Sequence, residues 1–74
     1  MKTIYLVDDS ATILLSVSHI LTKAGFTVDK SSNAEDALKK FQGGAKPDLL
    51  ITDLNMTGMN GIDLIRKVRE IPAR

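Results

Sequence analysis

The sequence of 74 residues contains no cysteine and no tryptophan, and it has one histidine and two prolines. Without cysteine, the chain can form neither a disulfide nor a thiolate metal site. A single histidine also excludes a histidine-rich metal cluster. With 10 basic and 9 acidic side chains the formal net charge is +1, and no basic run is interleaved with aromatic residues. The composition therefore does not predict a nucleic-acid partner.

Long hydrophobic runs are absent as well. The run Ile4–Val7 ends in two aspartates and is too short for a signal-peptide core or a membrane span. Together with the absence of cysteine, this favours a cytoplasmic protein that does not contact the membrane. Hydrophobic residues make up 43% of the chain, which is ordinary for a globular protein. We therefore expect one small folded unit rather than a disordered tail.

The first part of the chain predicts a strand followed by a helix. Thr3–Val7 is rich in β-branched and apolar residues without polar alternation, which is typical of a strand covered on both faces. Ser10 can cap the helix, and Gly25 is suited to a left-handed stop. The residues expected to face the core recur at helical spacing and are Ile13, Leu14, Val17, Ile20, Leu21 and Ala24.

A second strand and helix follow with weaker signals. Phe26–Val28 predicts a short strand that runs out at Asp29. Asn33 and Asp36 resemble a capping box, with Asp where Glu is usual. The predicted apolar face of the helix behind them comprises Ala34, Ala37, Leu38 and Phe41. Residues 42–47 then predict a turn.

The last part of the chain repeats this order once more. Asp48–Asp53 predicts a buried strand, and 54–59 a loop. Asn60 and Asp63 repeat the capping pattern, and Ile71–Pro72 is expected to end the helix. Its predicted inner stripe comprises Ile62, Ile65 and Val68. The alternation β-α-β-α-β-α without a linker predicts one α/β unit with a parallel sheet and right-handed crossovers.

Acidic side chains follow two of the predicted strands. Asp8 and Asp9 end the first strand, and Asp53 ends the third. Ligands of parallel sheets bind beyond the carboxyl ends of the strands, so these carboxylates converge if the two strands are neighbours. Converging like charges favour proton uptake or a hard cation, and Mg²⁺ fits an oxygen site of this kind. A single aspartate at a strand end often only caps the next helix, so the signal lies in the combination.

Three segments carry a family resemblance: Leu6–Ser10, Pro47–Met56 and Gly58–Gly61. In order and spacing the whole chain resembles a response-regulator receiver domain, the phosphoacceptor module of two-component signalling. The resemblance implies the N-terminal part of a doubly wound, flavodoxin-like fold, with a three-stranded parallel sheet of order 2-1-3 and three helices. It also implies a signalling module rather than an enzyme.

The resemblance assigns roles to individual residues. Asp53 would be the nucleophile that accepts a phosphoryl group from a phosphohistidine of a sensor histidine kinase. Asp9 would bind Mg²⁺ directly, Asp8 mainly through water, and Asn55 through its backbone carbonyl. His19 would not be the donor histidine but a surface or partner-facing residue of the first helix. Candidates for kinase contact on that helix are Ser16, Ser18, His19 and Lys23.

The chain departs from the family pattern in two respects. Thr57 stands where the family usually has proline, which loosens a loop without removing a ligand. Only three of the five βα units are found, so the strands that end in Ser or Thr and in Lys are missing. We therefore expect residues 1–74 to form a single partial receiver domain with impaired phosphorylation. An uncovered third strand or first helix would favour a homo-oligomer.

Two alternatives are weighed against the phosphoacceptor. One is a structural, oligomerising receiver fragment that binds metal but accepts no phosphate. The other is an aspartyl-phosphate hydrolase of the haloacid-dehalogenase type, which needs a second Asp two residues after its nucleophile. That position holds Asn55 after Asp53 and Ser10 after Asp8, so the hydrolase pattern is not met.

Overall fold

A computed structural model describes residues 2–71 of the protein. Strands and helices alternate as predicted: β1 (Thr3–Val7), α1 (Ala11–Lys23), β2 (Thr27–Ser31), α2 (Ala34–Gln42), β3 (Leu49–Thr52) and α3 (Gly61–Glu70). The three strands are parallel in the order β2-β1-β3. The predicted α/β class and strand order are therefore confirmed. No helix within residues 2–71 is long and apolar enough to cross a membrane.

The central strand β1 pairs with β2 along its whole length and with β3 from Ile4 to Val7. Tyr5, for example, lies opposite Asp29 of β2 and Leu50 of β3. Hydrogen bonding continues past the strand ends, because the Asp8 amide donates to the Ser31 carbonyl (3.1 Å) and the Asp53 amide donates to the Val7 carbonyl (2.9 Å). The two aspartates thus leave the sheet at the same edge. The third strand is confirmed with one residue fewer at each end than predicted. Its predicted burial is wrong, since Leu49 is exposed and the other three residues are half-buried, because β3 lies at one edge of the described sheet.

Side chains cap all three helices at the predicted positions. Ser10 Oγ accepts from the Ile13 amide (3.4 Å) and Asn60 Oδ1 from the Asp63 amide (2.9 Å). Asn33 Oδ1 accepts from the Asp36 amide at 2.7 Å, while Asp36 Oδ2 accepts from the Asn33 side-chain amide at 3.1 Å. The reciprocal bond of the predicted capping box is therefore made by side chains, since Asp is shorter than the usual Glu.

The core lies between the sheet and the pair α2 and α3. Its fully buried members are Val7, Ala34, Ala37 and Leu64. The two alanines carry little side chain, so α2 can approach the sheet closely. At the far end of this face the rings of Tyr5 and Phe41 meet edge to face, with centroids 5.3 Å apart.

The predicted inner face of α1 is only partly correct. Leu14 is buried, and Val17 and Leu21 are half-buried. Ile13 and Ile20 are instead 45% and 64% exposed, and Ala24 is exposed too. The apolar positions span a wider arc of the helix than the sheet covers. Ser18 lies within the covered arc, where its hydroxyl donates to the Leu15 carbonyl (3.1 Å), so that its burial leaves no unpaired polar group.

The predicted inner stripe of α3 is wrong by about one helical position. Gly61 and Leu64 are buried and Val68 is half-buried, whereas Ile62 and Ile65 are 50% and 36% exposed. The predicted and the observed buried residues both recur at helical spacing, and both include Val68. Periodicity alone therefore does not show which of the two faces is buried. The helix ends at Glu70, with Ile71 as its C-cap. Pro72, predicted to contribute to this end, lies outside the described residues.

Strand β2 begins one residue later than predicted, at Thr27, and is longer, since it continues through Asp29 and Lys30 to Ser31. These polar residues are tolerated because β2 is an edge strand. The ammonium of Lys40 on α2 donates to Asp29 Oδ1 (2.5 Å) and to Ser31 Oγ (3.0 Å). It also lies 5.7 Å from the centre of the Tyr5 ring. Lys40 therefore links α2 to the polar end of β2, which was not included in the predicted strand.

Candidate functional site

The structure brings the three predicted carboxylates together at the carboxyl edge of the sheet. Asp8, Asp9 and Asp53 each offer one oxygen, and these oxygens all lie within 4.8 Å of one another. Asp8 and Asp53 are half-buried, and Asp9 is exposed. Charges this close repel one another, so a divalent cation would stabilise the arrangement.

Hydrogen bonds from the backbone orient two of these carboxylates. Asp8 Oδ1 accepts from the Ser10 amide (2.9 Å), and Asp53 Oδ1 accepts from the Asn55 amide (3.3 Å). Both are bonds to the amide two residues on, the Asx-turn pattern that aspartate favours after a strand. Each turn involves one oxygen of its carboxylate and leaves the other outside it. The turns thus hold both side chains in fixed orientations at the edge of the sheet.

The fourth predicted residue, Asn55, lies in the loop after Asp53 and is exposed. It lines the same open depression as Asp9, with a volume of about 450 Å³. The other lining residues are Leu54, Met56, Thr57, Gly58 and Asn60. All four predicted site residues therefore belong to one region of the surface, which a side chain of a partner protein could enter.

Gly61, at the start of α3, adjoins this region, and no role was predicted for it. A Cβ placed on it would lie 2.3 Å from the Asp53 carbonyl oxygen, far inside van der Waals contact. Its amide donates to the Leu54 carbonyl at 3.3 Å. The first residue of α3 therefore packs directly on the backbone of Asp53. A glycine as the first residue of a helix, directly after the cap, is the signal that could have revealed this contact.

The predicted kinase-contact residues of α1 do not share one environment. Ser16, His19 and Lys23 are exposed, as a contact surface requires. Ser18 is buried, and its inclusion among these residues is wrong, because its side chain packs under the helix and bonds to the backbone.

The comparison with protein families decides the identity of this arrangement. The family model of the response regulator receiver domain matches residues 4–74. The chain belongs to the response regulator receiver domain family. The resemblance inferred from Leu6–Ser10, Pro47–Met56 and Gly58–Gly61 is thereby confirmed.

Individual relatives agree with this family. The receiver is 37% identical over 71 residues to the chemotaxis protein CheY of Thermotoga maritima, a match that covers 95% of this chain and 58% of that protein. It is 33% identical over 69 residues to the regulatory protein PhoP of Bacillus subtilis, covering 93% of this chain and 28% of PhoP. The chain thus spans about half the length, or less, of these curated relatives.

Among solved structures, the fold matches the response regulator TrrA of Thermotoga maritima in complex with Mg²⁺-BeF. The TM-score is 0.88 at 37% identity, covering 95% of this chain and 60% of that one. TrrA in complex with the histidine kinase ThkA matches with a TM-score of 0.86 at 36% identity and the same coverage. The flavodoxin-like receiver fold is therefore shown by structure as well as by sequence.

Proposed function

We propose that this receiver accepts a phosphoryl group on Asp53 from a sensor histidine kinase, with Mg²⁺ held by Asp8, Asp9, Asp53 and the backbone carbonyl of Asn55. The observation that carries the proposal is the convergence of three carboxylate oxygens within 4.8 Å. In this role the chain is a signalling module and not an enzyme. A cytoplasmic location remains a prediction that accompanies it.

The donor set fits magnesium in kind and in size. Mg²⁺ prefers oxygen ligands and keeps several waters, and two oxygens bound to it at about 2.1 Å lie at most about 4.2 Å apart. A spread of up to 4.8 Å is a little wider, which suits a site where one carboxylate is held through water. The relative TrrA has been crystallised with Mg²⁺-BeF, which supports the same assignment here. Bound Mg²⁺ would neutralise charge on the transferring phosphoryl group.

The residues of the chain would perform the remaining steps. An oxygen of Asp53 attacks phosphorus, the bond from phosphorus to the donor nitrogen breaks, and the imidazole leaves with its electron pair. The Asx turn to the Asn55 amide (3.3 Å) keeps the Asp53 carboxylate oriented for this attack. The open depression beside Asp9 gives the donor side chain access. The complex of ThkA with TrrA supports a histidine kinase as the donor, with exposed Ser16, His19 and Lys23 as contact candidates.

Intact mass spectrometry tests the proposal. The protein is incubated with Mg²⁺ and a small acyl-phosphate donor, alongside Asp53→Asn and a matched control, Asp48→Asn, at the other end of β3. We expect one phosphoryl adduct on the wild type and on Asp48→Asn, and none on Asp53→Asn. An adduct that persists in Asp53→Asn would exclude Asp53 as the acceptor. Magnesium binding without any adduct would favour the structural fragment.

We also propose that the receiver self-associates, the property on which the structural alternative depends. Strand β3 lies at one edge of the described sheet, and Leu49 on it is 52% exposed. An apolar edge strand is a template for pairing, and exposed Ile13 and Ile20 on α1 add apolar surface. Sedimentation equilibrium at micromolar concentration checks this, and a compact folded monomer would refute it.

A further inference from the structure

The loop between Asp53 and α3 carries the predicted magnesium ligand Asn55 but belongs to no strand or helix. At its start, the Asn55 amide donates to Asp53 Oδ1. At its end, the Gly61 amide donates to the Leu54 carbonyl. Thr57 lies in the middle, where the resemblance expects a proline that would stiffen the backbone. Another contact is therefore needed to keep this segment in one shape.

Glu35, in the first turn of α2, makes such a contact. Its Oε2 accepts a hydrogen bond from the Met59 amide at 3.1 Å, across 24 positions of the chain. A Cβ on Gly58 would lie 2.9 Å from the same oxygen, so the loop passes directly over this carboxylate. Gly58 has φ +83°, a conformation that glycine adopts without strain. Glu35 therefore holds the loop at Gly58 and Met59.

We propose that Glu35 is a positioning residue for the acidic site. By holding the Met59 amide, it fixes the loop from its far end and so fixes where the Asn55 carbonyl lies relative to Asp9 and Asp53. Glu35 is exposed and lies on a different element from the carboxylates, so it acts through the loop backbone and not on the metal. The inference rests on the proposed magnesium site.

The test compares Glu35→Ala, which removes the hydrogen-bond acceptor, with Glu35→Gln, which removes the charge but keeps an acceptor oxygen. Removing a residue that hydrogen-bonds to a metal ligand typically weakens metal affinity. Glu35 is exposed and bonds to the loop rather than to a ligand itself, so we expect a smaller loss of Mg²⁺ affinity in Glu35→Ala, about 3- to 10-fold. Glu35→Gln should retain most of the wild-type affinity. Affinity is measured by titration of the protein with Mg²⁺ in isothermal calorimetry.

A second readout needs no metal. Solvent exchange of the Met59 amide proton, measured by NMR on the metal-free protein, should be faster in Glu35→Ala than in the wild type and close to normal in Glu35→Gln. Circular dichroism confirms that the exposed substitution leaves the fold intact.

The outcomes separate this proposal from the function on which it rests. Wild-type protein that binds no Mg²⁺ overturns the magnesium site and the positioning role with it. Normal Mg²⁺ binding in Glu35→Ala overturns the positioning role alone. An equal loss in Glu35→Gln and Glu35→Ala also overturns it, because charge rather than the hydrogen bond would then be responsible.

Discussion

Replacing Gly61 with alanine should destabilise the protein, although sequence rules alone predict the opposite. Alanine is favoured over glycine in a helix by about 1 kcal/mol. In the structure, however, the added Cβ would lie 2.3 Å from the Asp53 carbonyl oxygen and 3.1 Å from Thr52 Cγ2. The Cβ and the oxygen would have to separate by about 0.7 Å to reach the 3.0 Å below which such contacts are essentially never found.

The obstacle is backbone at the residue directly after β3, so it cannot move aside as a flexible side chain would. The Asp53 amide is bonded to Val7 of the central strand at 2.9 Å. Overpacking of this kind costs about 1–3 kcal/mol. The cost should lie at the upper end of this range because the backbone cannot move aside, and about 1 kcal/mol is regained in helix propensity, so we expect Gly61→Ala to lower the free energy of unfolding by about 2 kcal/mol. Because Asp53 must shift, Mg²⁺ affinity should fall as well.

Urea denaturation followed by circular dichroism measures this loss. Gly43→Ala is the matched control, because its added Cβ meets nothing closer than 3.5 Å, and it should leave stability unchanged or slightly higher. A Gly61→Ala protein as stable as the wild type would show that α3 does not pack on Asp53 as described.

Two further predictions concern the metal site and the core. Asp9→Ala should weaken Mg²⁺ binding strongly in a titration, whereas Asp63→Ala should not, because Asp63 lies in the first turn of α3 outside the group of converging carboxylates. Equal losses of Mg²⁺ affinity in the two variants would mean that the wrong carboxylates are assigned. Leu64→Ala should lower the free energy of unfolding in urea by about 2–5 kcal/mol, since Leu64 is fully buried beside Val7. A smaller loss than that of Ile62→Ala would contradict the observation that α3 buries Leu64 and exposes Ile62.

Local signals predicted the helices and strands, whereas the acidic site also required the strand order. Ser10, Asn33 and Asn60 cap helices as expected, since a cap depends on neighbouring backbone amides and not on distant parts of the chain. The convergence of Asp8, Asp9 and Asp53 followed from strand adjacency, which the family resemblance supplied. Their assigned roles in metal binding and phosphorylation remain predictions.

The features that were missed depend on how elements sit against one another. Periodicity identifies an apolar face, but when apolar residues cover more than one face it does not say which one is buried. For this reason Ile62 and Ile65 were placed inside and Leu64 was not. Contacts between distant residues, such as Glu35 with Met59, leave no local pattern in the sequence at all.

The two edges of the described sheet differ in chemistry, and this difference would limit the self-association proposed above. One edge, β2, presents Asp29 and Lys30 and is clamped by Lys40, while the other, β3, presents leucine and isoleucine. Charged groups discourage an incoming strand. If two molecules paired through β3, the only sheet edges left unpaired in the described part of each would be the charged β2 strands. Such an assembly would close as a pair instead of growing into a fibre.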